Sequence, residues 1–268
     1  MNRQKVHFIN PALISPNNPI SVNVIGAGGT GSHLLEVLGR IHLVLTETRR
    51  AGLQVNLFDP DQIEVPNLGR ASFNENYLGM NKAVAVIDHI NRKFGTHWKA
   101  ISKDFVPSSM IRMERNRIAN LTFSCVDTVK SRLGIADVLK YFSHAKDVMY
   151  SRDRPHYLFD FGNSQKTGQV ILSTLTDIQQ PESDFFDTVT ALPSMTDEFA
   201  EHLGMADDSN DEPSCSIMDA LSKQSLFINS ILAHHAGALL DEMLNDGAIG
   251  IRGFFINLET HRVEPIRL

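Results

Sequence analysis

The 268-residue chain reads as an α/β protein, a doubly wound and mostly parallel sheet, on three observations. Short β-rich apolar runs alternate with helical-period segments as far as residue 142, the sign of parallel βαβ units. The first of these units turns through Gly26-Ala27-Gly28-Gly29-Thr30-Gly31, a Gly-x-Gly-x-x-Gly pattern between strand and helix. At the other end, residues 253–258 and 262–268 read as an antiparallel hairpin appended to the sheet. Together they predict a Rossmann-like fold with a C-terminal antiparallel extension.

Residues 1–20 are polar, with Pro11, Pro16 and Pro19, and read as an irregular N-terminal arm. Residues 21–25 (SVNVI) are a strand that stops at glycines, and residues 32–45 carry apolar side chains at helical spacing. Residues 53–58 form the second strand, which ends on Asp59-Pro60-Asp61, and 65–70 are a loop. Helix returns at 81–94, strands are expected at 98–102 and 121–126, and a further helix at 131–142. Residues 157–162 and 169–175 read as two strands joined by a polar turn, closing a nucleotide-binding domain of residues 21–175. Residues 176–212 are rich in Asp, Glu, Ser, Thr and Pro and read as a mobile crossover loop. A long helix over 216–245 and the hairpin, within residues 213–268, complete the same domain.

Composition narrows the function. With 42% hydrophobic and 21% charged residues the chain belongs to the globular class. A net charge of -6 gives no general attraction to nucleic acid or to an anionic membrane, so neither is an expected partner, and a nucleotide must be held by a local site. No run reaches the 18 or so apolar residues of a spanning helix, and the first residues lack a signal-peptide pattern, so a cytoplasmic location is expected. The two cysteines, Cys125 and Cys215, form neither a disulfide framework nor a Cys-x-x-Cys pair, so no structural zinc is expected.

The glycine turn lets backbone approach a phosphate at a helix N-terminus, where free N–H groups and the positive dipole end favour an anion. Gly26, Gly28, Gly29 and Gly31 are the residues that would cradle it. Asp59 follows Gly31 by 28 residues at the end of the second strand, where a carboxylate accepts from ribose hydroxyls. NAD, FAD and ATP all carry that ribose, so the turn alone leaves a nicotinamide or flavin oxidoreductase open. Asp127 ends a buried strand and is by position a candidate helix cap. Cys215 precedes Ser216-Ile217-Met218-Asp219, a capping-box variant, which would set its thiol at the positive end of the long helix and favour the thiolate.

The run Asp59-Pro60-Asp61-Gln62-Ile63-Glu64-Val65-Pro66-Asn67-Leu68-Gly69-Arg70, followed by Leu78-Gly79-Met80-Asn81-Lys82, resembles a pattern of the ThiF/MoeB/E1 adenylating enzymes. Cys125-Val126-Asp127-Thr128 with Arg132 is similar to the family's Asp-x-Asp-Asn-x-x-x-x-Arg segment. The chain departs from these patterns at Pro66, where Ser is usual, at Ala71, where Gln is usual, and at Thr128, where Asn is usual. Pro-Ser-Cys-Ser before a helix that carries Gln224 and Asn229, and the Phe161-Gly162-Asn163 turn, resemble the ThiF-family component of bacterial PRTRC gene systems.

The resemblance implies an ATP-dependent adenylyltransferase that activates the C-terminal carboxylate of a ubiquitin-like or sulfur-carrier protein. It places ATP on the glycine turn, Asp59 on the ribose, and Asn67, Arg70 and Lys82 on the phosphates. Asp127 would hold Mg²⁺, and Cys215 would either accept the activated acyl group or serve only as a small apolar residue at the helix start. It further implies a homodimer whose partner subunit supplies an arginine, for which Arg3 in the N-terminal arm is the candidate. A scaffold that binds nucleotide without chemistry is the third reading, motivated by the departures at Pro66 and Ala71.

Overall fold

A computed structural model describes residues 3–68, 71, 73–108, 114–194 and 225–268. Arg70 and Cys215, and with them the mapping of the capping-box variant, lie outside the described residues. The strands are β1 (Gln4–Phe8), β2 (Ile20–Ile25), β3 (Leu53–Phe58), β4 (Lys99–Ile101), β5 (Leu121–Ser124), β6 (Tyr157–Asn163), β7 (Thr167–Thr174), β8 (Phe186–Thr188), β9 (Ala248–Ile249), β10 (Ile251–Asn257) and β11 (Arg262–Arg267). The helices are α1 (Pro11–Ile14), α2 (Gly29–Glu47), α3 (Lys82–Phe94), α4 (Val129–His144) and α5 (Ile228–Asp246).

The main sheet has the order β11-β10-β7-β6-β5-β2-β3-β4. Strands β6, β5, β2, β3 and β4 run parallel, and β7, β10 and β11 add antiparallel, as the hairpin signal predicts. The chain leaves β2 toward β3 and β4, then crosses back to β5, so the order reverses between β2 and β5. Crevices for ligands open at such a switch point, beyond the carboxyl ends of the strands.

Strand β2 is buried along its whole length, as expected where helices cover both faces. On one face α2, α3 and α5 bury Leu34, Leu38, Ile90, Leu232 and Leu240 against Val22, Val24, Leu57 and Phe123. On the other, Ile135, Val138, Leu139 and Phe142 of α4 pack on Ile25, Phe58 and Leu158. Phe123 and Phe159 stack across the central parallel pair at 4.5 Å. Helices α2 and α5 approach closely because position 237 is glycine: a Cβ there would meet Val37 Cγ1 at 2.2 Å. Among the described residues no helix is long and apolar enough to cross a membrane.

Three expectations need correction. The irregular arm contains β1, which pairs antiparallel with β9 and parallel with β8 in a second sheet, and α1, capped by Asn10. Both partners of β1 lie far away in sequence, so no local pattern marks it. The described part of the expected mobile loop, 176–194, is fastened. Ile178 N–H donates to Thr190 O at 2.9 Å, and the Gln180 amide accepts from Phe8 N–H and donates to Phe8 O, replacing a strand partner. The long helix begins at Ile228, since Leu226 and Phe227 form a turn, and it ends at Gly247 in the left-handed region.

A buried polar chain holds the N-terminal strand. His7 Nδ1 lies 2.6 Å from Val189 O and Nε2 2.9 Å from the Tyr157 hydroxyl, which accepts from Asn10 N–H. The Asn10 amide in turn donates to His156 Nδ1 at 3.2 Å. Burial, helped by Arg154, pushes His156 down from 6.5 to about 4. A histidine lowered on folding binds its proton more readily in the unfolded chain, so stability is lost as pH falls below the unfolded value. His156→Gln is expected to flatten the dependence of unfolding free energy on pH by about 2 kcal/mol between about pH 7.5 and about pH 5, measured by urea titration.

Candidate active site

A cavity of about 910 Å³ opens at the switch point. The carboxyl end of β2 supplies Gly26, Gly28, Gly29 and Thr30 to it, β3 supplies Asp59 and Asp61, and β5 supplies Cys125, Val126 and Asp127. Asn67 and Lys82 line it from the segment after β3, Lys130 from α4, Asn163 from β6 and Asn229 from α5. Phe58, Phe105, Val106, Leu133 and Ile135 form its apolar end.

The turn is built by steric necessity. Gly26 has φ +94, and a Cβ there would meet Cys125 O at 2.7 Å. A Cβ at Gly31 would lie 1.8 Å from Gly26 O, so only glycine lets α2 start this close to β2. Gly31 therefore packs helix on strand and does not line the cavity. Gly28 is the N-cap of α2 without a side-chain cap bond, and nothing lies within 4 Å of a Cβ added there. The first N–H groups of α2 thus face open space from a bare backbone, the requirement for an anion at a helix start.

Asp59 anchors this turn. Its Oδ2 accepts from Ala27 N–H at 2.6 Å and its Oδ1 from Asp61 N–H at 2.9 Å. Burial holds its carboxyl above the ordinary value, against the pull of those two N–H donors and of Lys82. Each oxygen keeps a lone pair for a hydroxyl. The Asn81 side chain caps α3 and also donates to Asp59 O and Asp61 O, which sets Lys82 at the first helical position. Lys82 Nζ pairs with Asp61 at 2.9 Å. Asn67 Oδ1 accepts from Glu64 N–H, so the amide nitrogen is its remaining donor.

Asp127 is exposed at the cavity wall and is not the cap of α4: Thr128 is, accepting from Ser131 N–H at 3.1 Å. Arg132 donates to Asp160 Oδ2 at 2.6 Å and to Val126 O at 3.0 Å, which fixes the segment carrying Asp127. Among the described residues no group of three His, Cys, Asp or Glu side chains could hold a metal alone. Asp127 suits Mg²⁺ only in the mode that ion favours, one carboxylate shared with substrate phosphates and water. Cys125 is recessed beside Gly31, and desolvation drives its thiol far above the ordinary range.

Sequence reasoning gave no role to one feature. Asn229, buried in the first turn of α5, accepts on Oδ1 from Thr30 Oγ1 at 2.9 Å and from Asn163 Nδ2 at 2.7 Å. This joins the glycine turn to the end of β6 through α5. The three residues lie in separate elements, and only the glycine pattern around Thr30 is a local signal.

A family model described as the ThiF family matches residues 17–243. No curated protein matches the chain. Among solved structures, the fold is similar to PaaA, at 15% identity and TM-score 0.59 over 92% of this chain and 72% of that one. It is also similar to E. coli MccB, at 15% identity and TM-score 0.57, with 92% of this chain covering 62% of MccB. MccB with AMPCPP and MccA matches at 14% identity and TM-score 0.56, over 92% and 63% of the two chains. The chain thus spans less than two thirds of MccB, and at these identities the likeness speaks for the fold.

The two glycines separate packing from binding. Gly31→Ala is expected to destabilise on the order of 3 kcal/mol, because its Cβ must displace backbone. Gly28→Ala has room and is expected to melt near the wild-type temperature, yet to bind ATP at least about tenfold more weakly, because a methyl group obstructs the anion site. Thermal melts paired with titration calorimetry check both.

Proposed function

Because the chain belongs to the ThiF family, we propose that it is an ATP-dependent adenylyltransferase acting on the C-terminal carboxylate of a ubiquitin-like or sulfur-carrier protein. The observation that carries the reading is convergence: Lys82, Asn67 and Asp127 line one cavity with the glycine turn and Asp59. A dinucleotide oxidoreductase has no use for that cationic and acidic set. MccB, of the same fold, has been solved with AMPCPP, an ATP analogue, and with MccA, which supports a nucleotide together with a peptide or small-protein substrate in this architecture.

In this reading the adenine occupies the apolar end between Phe58, Phe105 and Leu133, and Asp59 accepts from the ribose. The phosphates run past the N-terminus of α2 toward Lys82, with Asn67 Nδ2 and Arg70 as further donors. A substrate carboxylate oxygen attacks the α-phosphorus, the bond to the bridging oxygen of the β-phosphate breaks, and pyrophosphate leaves carrying the charge. A carboxylate is already a deprotonated nucleophile, so no protein base is needed and the residues act by position and charge. Mg²⁺ bound at Asp127 would neutralise phosphate charge. Lys82 exchanges its Asp61 partner for phosphate oxygens when the triphosphate enters.

A second step passes the acyl group to Cys215: its thiolate attacks the acyl carbon and AMP departs. The chemistry of the other thiol supports that choice, since desolvation keeps Cys125 protonated. We further propose a homodimer. Arg3 donates to Ser183 O within its own chain and is not among the cavity residues, so an arginine completing the site would come from the partner subunit.

Exchange of labelled pyrophosphate into ATP, measured with small ubiquitin-like proteins as acyl donors, tests the reading. Lys82→Ala and Arg70→Ala are each expected to lower exchange by about 100-fold or more, the usual scale for removing a charge-stabilising donor. Asp127→Asn is expected to lower exchange and to raise the Mg²⁺ concentration needed for half-maximal exchange. Full exchange in all three variants, or purification of the protein with a flavin or nicotinamide chromophore, would contradict it.

A further inference from the structure

We infer that Asn163 is a specificity-determining residue that accepts the backbone N–H of the substrate's C-terminal residue, so that this site takes peptide C-termini and not simple organic acids. The inference rests on the adenylation reading and goes beyond it by naming the group that recognises the acyl substrate.

Asn163 ends β6 and lines the cavity at its polar end. Its Nδ2 is committed to Asn229 Oδ1 at 2.7 Å, and the same oxygen takes the Thr30 hydroxyl at 2.9 Å. Asn229 is 1% exposed and lies on α5, so the Asn163 amide is held by a buried and doubly bonded oxygen. That arrangement sets the rotation of the Asn163 amide plane. It leaves Oδ1, an acceptor with two lone pairs, as the atom without a partner among the described residues.

Position decides what the oxygen can receive. Thr30 belongs to the first turn of α2, the turn that would hold the phosphates. Asn163 and Thr30 donate to one oxygen, so the Asn163 side chain lies beside the first turn of α2, next to the place an anion at that helix start would take. A carboxylate poised against the α-phosphate has its own residue's nitrogen two bonds from the carboxyl carbon. In a peptide that nitrogen is an N–H donor. In a fatty or aromatic acid the corresponding atom is carbon and leaves a preorganised acceptor unpaired, a cost that discriminates strongly when the site is desolvated. Lys82, Asn67 and Asp61 also line the cavity, but none of them shares the Asn229 oxygen with Thr30.

Two non-reactive mimics of the acyl-adenylate isolate the N–H. In one, 5′-sulfamoyladenosine is acylated with N-acetylglycine; in the other, with O-acetylglycolic acid, so that an ester oxygen replaces the N–H at the same place. Titration calorimetry with the wild-type protein is expected to show about tenfold tighter binding of the N-acetylglycine compound, the scale of one hydrogen bond. Asn163→Ala is expected to bring the ratio of the two affinities to about one. The melting temperature of Asn163→Ala, expected within a few degrees of the wild-type value, guards against a merely misfolded variant, and Asn163→Asp, which loses the donor to Asn229 that fixes the group, is expected to lose the preference as well. Equal wild-type affinities for the two compounds, or a ratio unchanged in Asn163→Ala, would overturn the inference while leaving adenylation standing. Failure of both compounds and of ATP to bind would contradict the adenylation reading itself.

Discussion

One buried carboxylate organises the site. Asp59 accepts from Ala27 N–H within the glycine turn and from Asp61 N–H in the next loop, so a single side chain joins the ends of β2 and β3. A carboxylate this buried is costly unless hydrogen-bonded. Here both oxygens are occupied by backbone donors that would themselves be orphaned in a turn too tight to pair internally. Everything on that side of the cavity depends on the arrangement: the open helix start at Gly28, the Asn81 cap that grips the Asp59 and Asp61 carbonyls, and Lys82 one residue later. The residue expected to meet the ribose is thus also the one that shapes the phosphate site.

The opposite wall follows from topology. Strand order reverses between β2 and β5, so the loop after β5 faces the glycine turn across the crevice. The Arg132–Asp160 pair secures that loop by holding the Val126 carbonyl, and leaves Asp127 exposed to the cavity. Burial raises the Asp160 carboxyl above its ordinary value even with the guanidinium beside it. Its pairing is therefore better read as a device for placing the loop than as a source of stability. The two walls meet on α5, where the Asn229 oxygen takes a donor from each.

What was legible in the sequence was local. The glycine turn, the acid at the end of the second strand, and the spacing of Asn67 and Lys82 are encoded within about sixty residues, and each is found lining or building the cavity. Gly31 was legible as part of the pattern, but its task is packing against Gly26 O, which spacing alone does not reveal. Asp127 had two readings until Thr128 proved to be the cap. The Thr30–Asn229–Asn163 junction had no comparable signal, because its members are 199 and 66 residues apart and meet only after the sheet closes. The N-terminal strand failed for the same reason, its partners β8 and β9 lying far along the chain, at Phe186–Thr188 and Ala248–Ile249. The helix expected over 216–245 is interrupted in its described part by a turn at Leu226-Phe227 before α5, and the Ser216-Ile217-Met218-Asp219 start lies outside the described residues.

The central claim, that these residues cleave ATP between the α- and β-phosphates to activate a carboxylate, is tested most directly by the products. Phosphorus NMR of ATP turnover, with a ubiquitin-like protein ending in Gly-Gly and hydroxylamine to trap the activated acyl group, should show AMP and pyrophosphate accumulating in step with the carrier's hydroxamate. ADP and inorganic phosphate, or AMP formation indifferent to the carrier's free carboxylate, would contradict it.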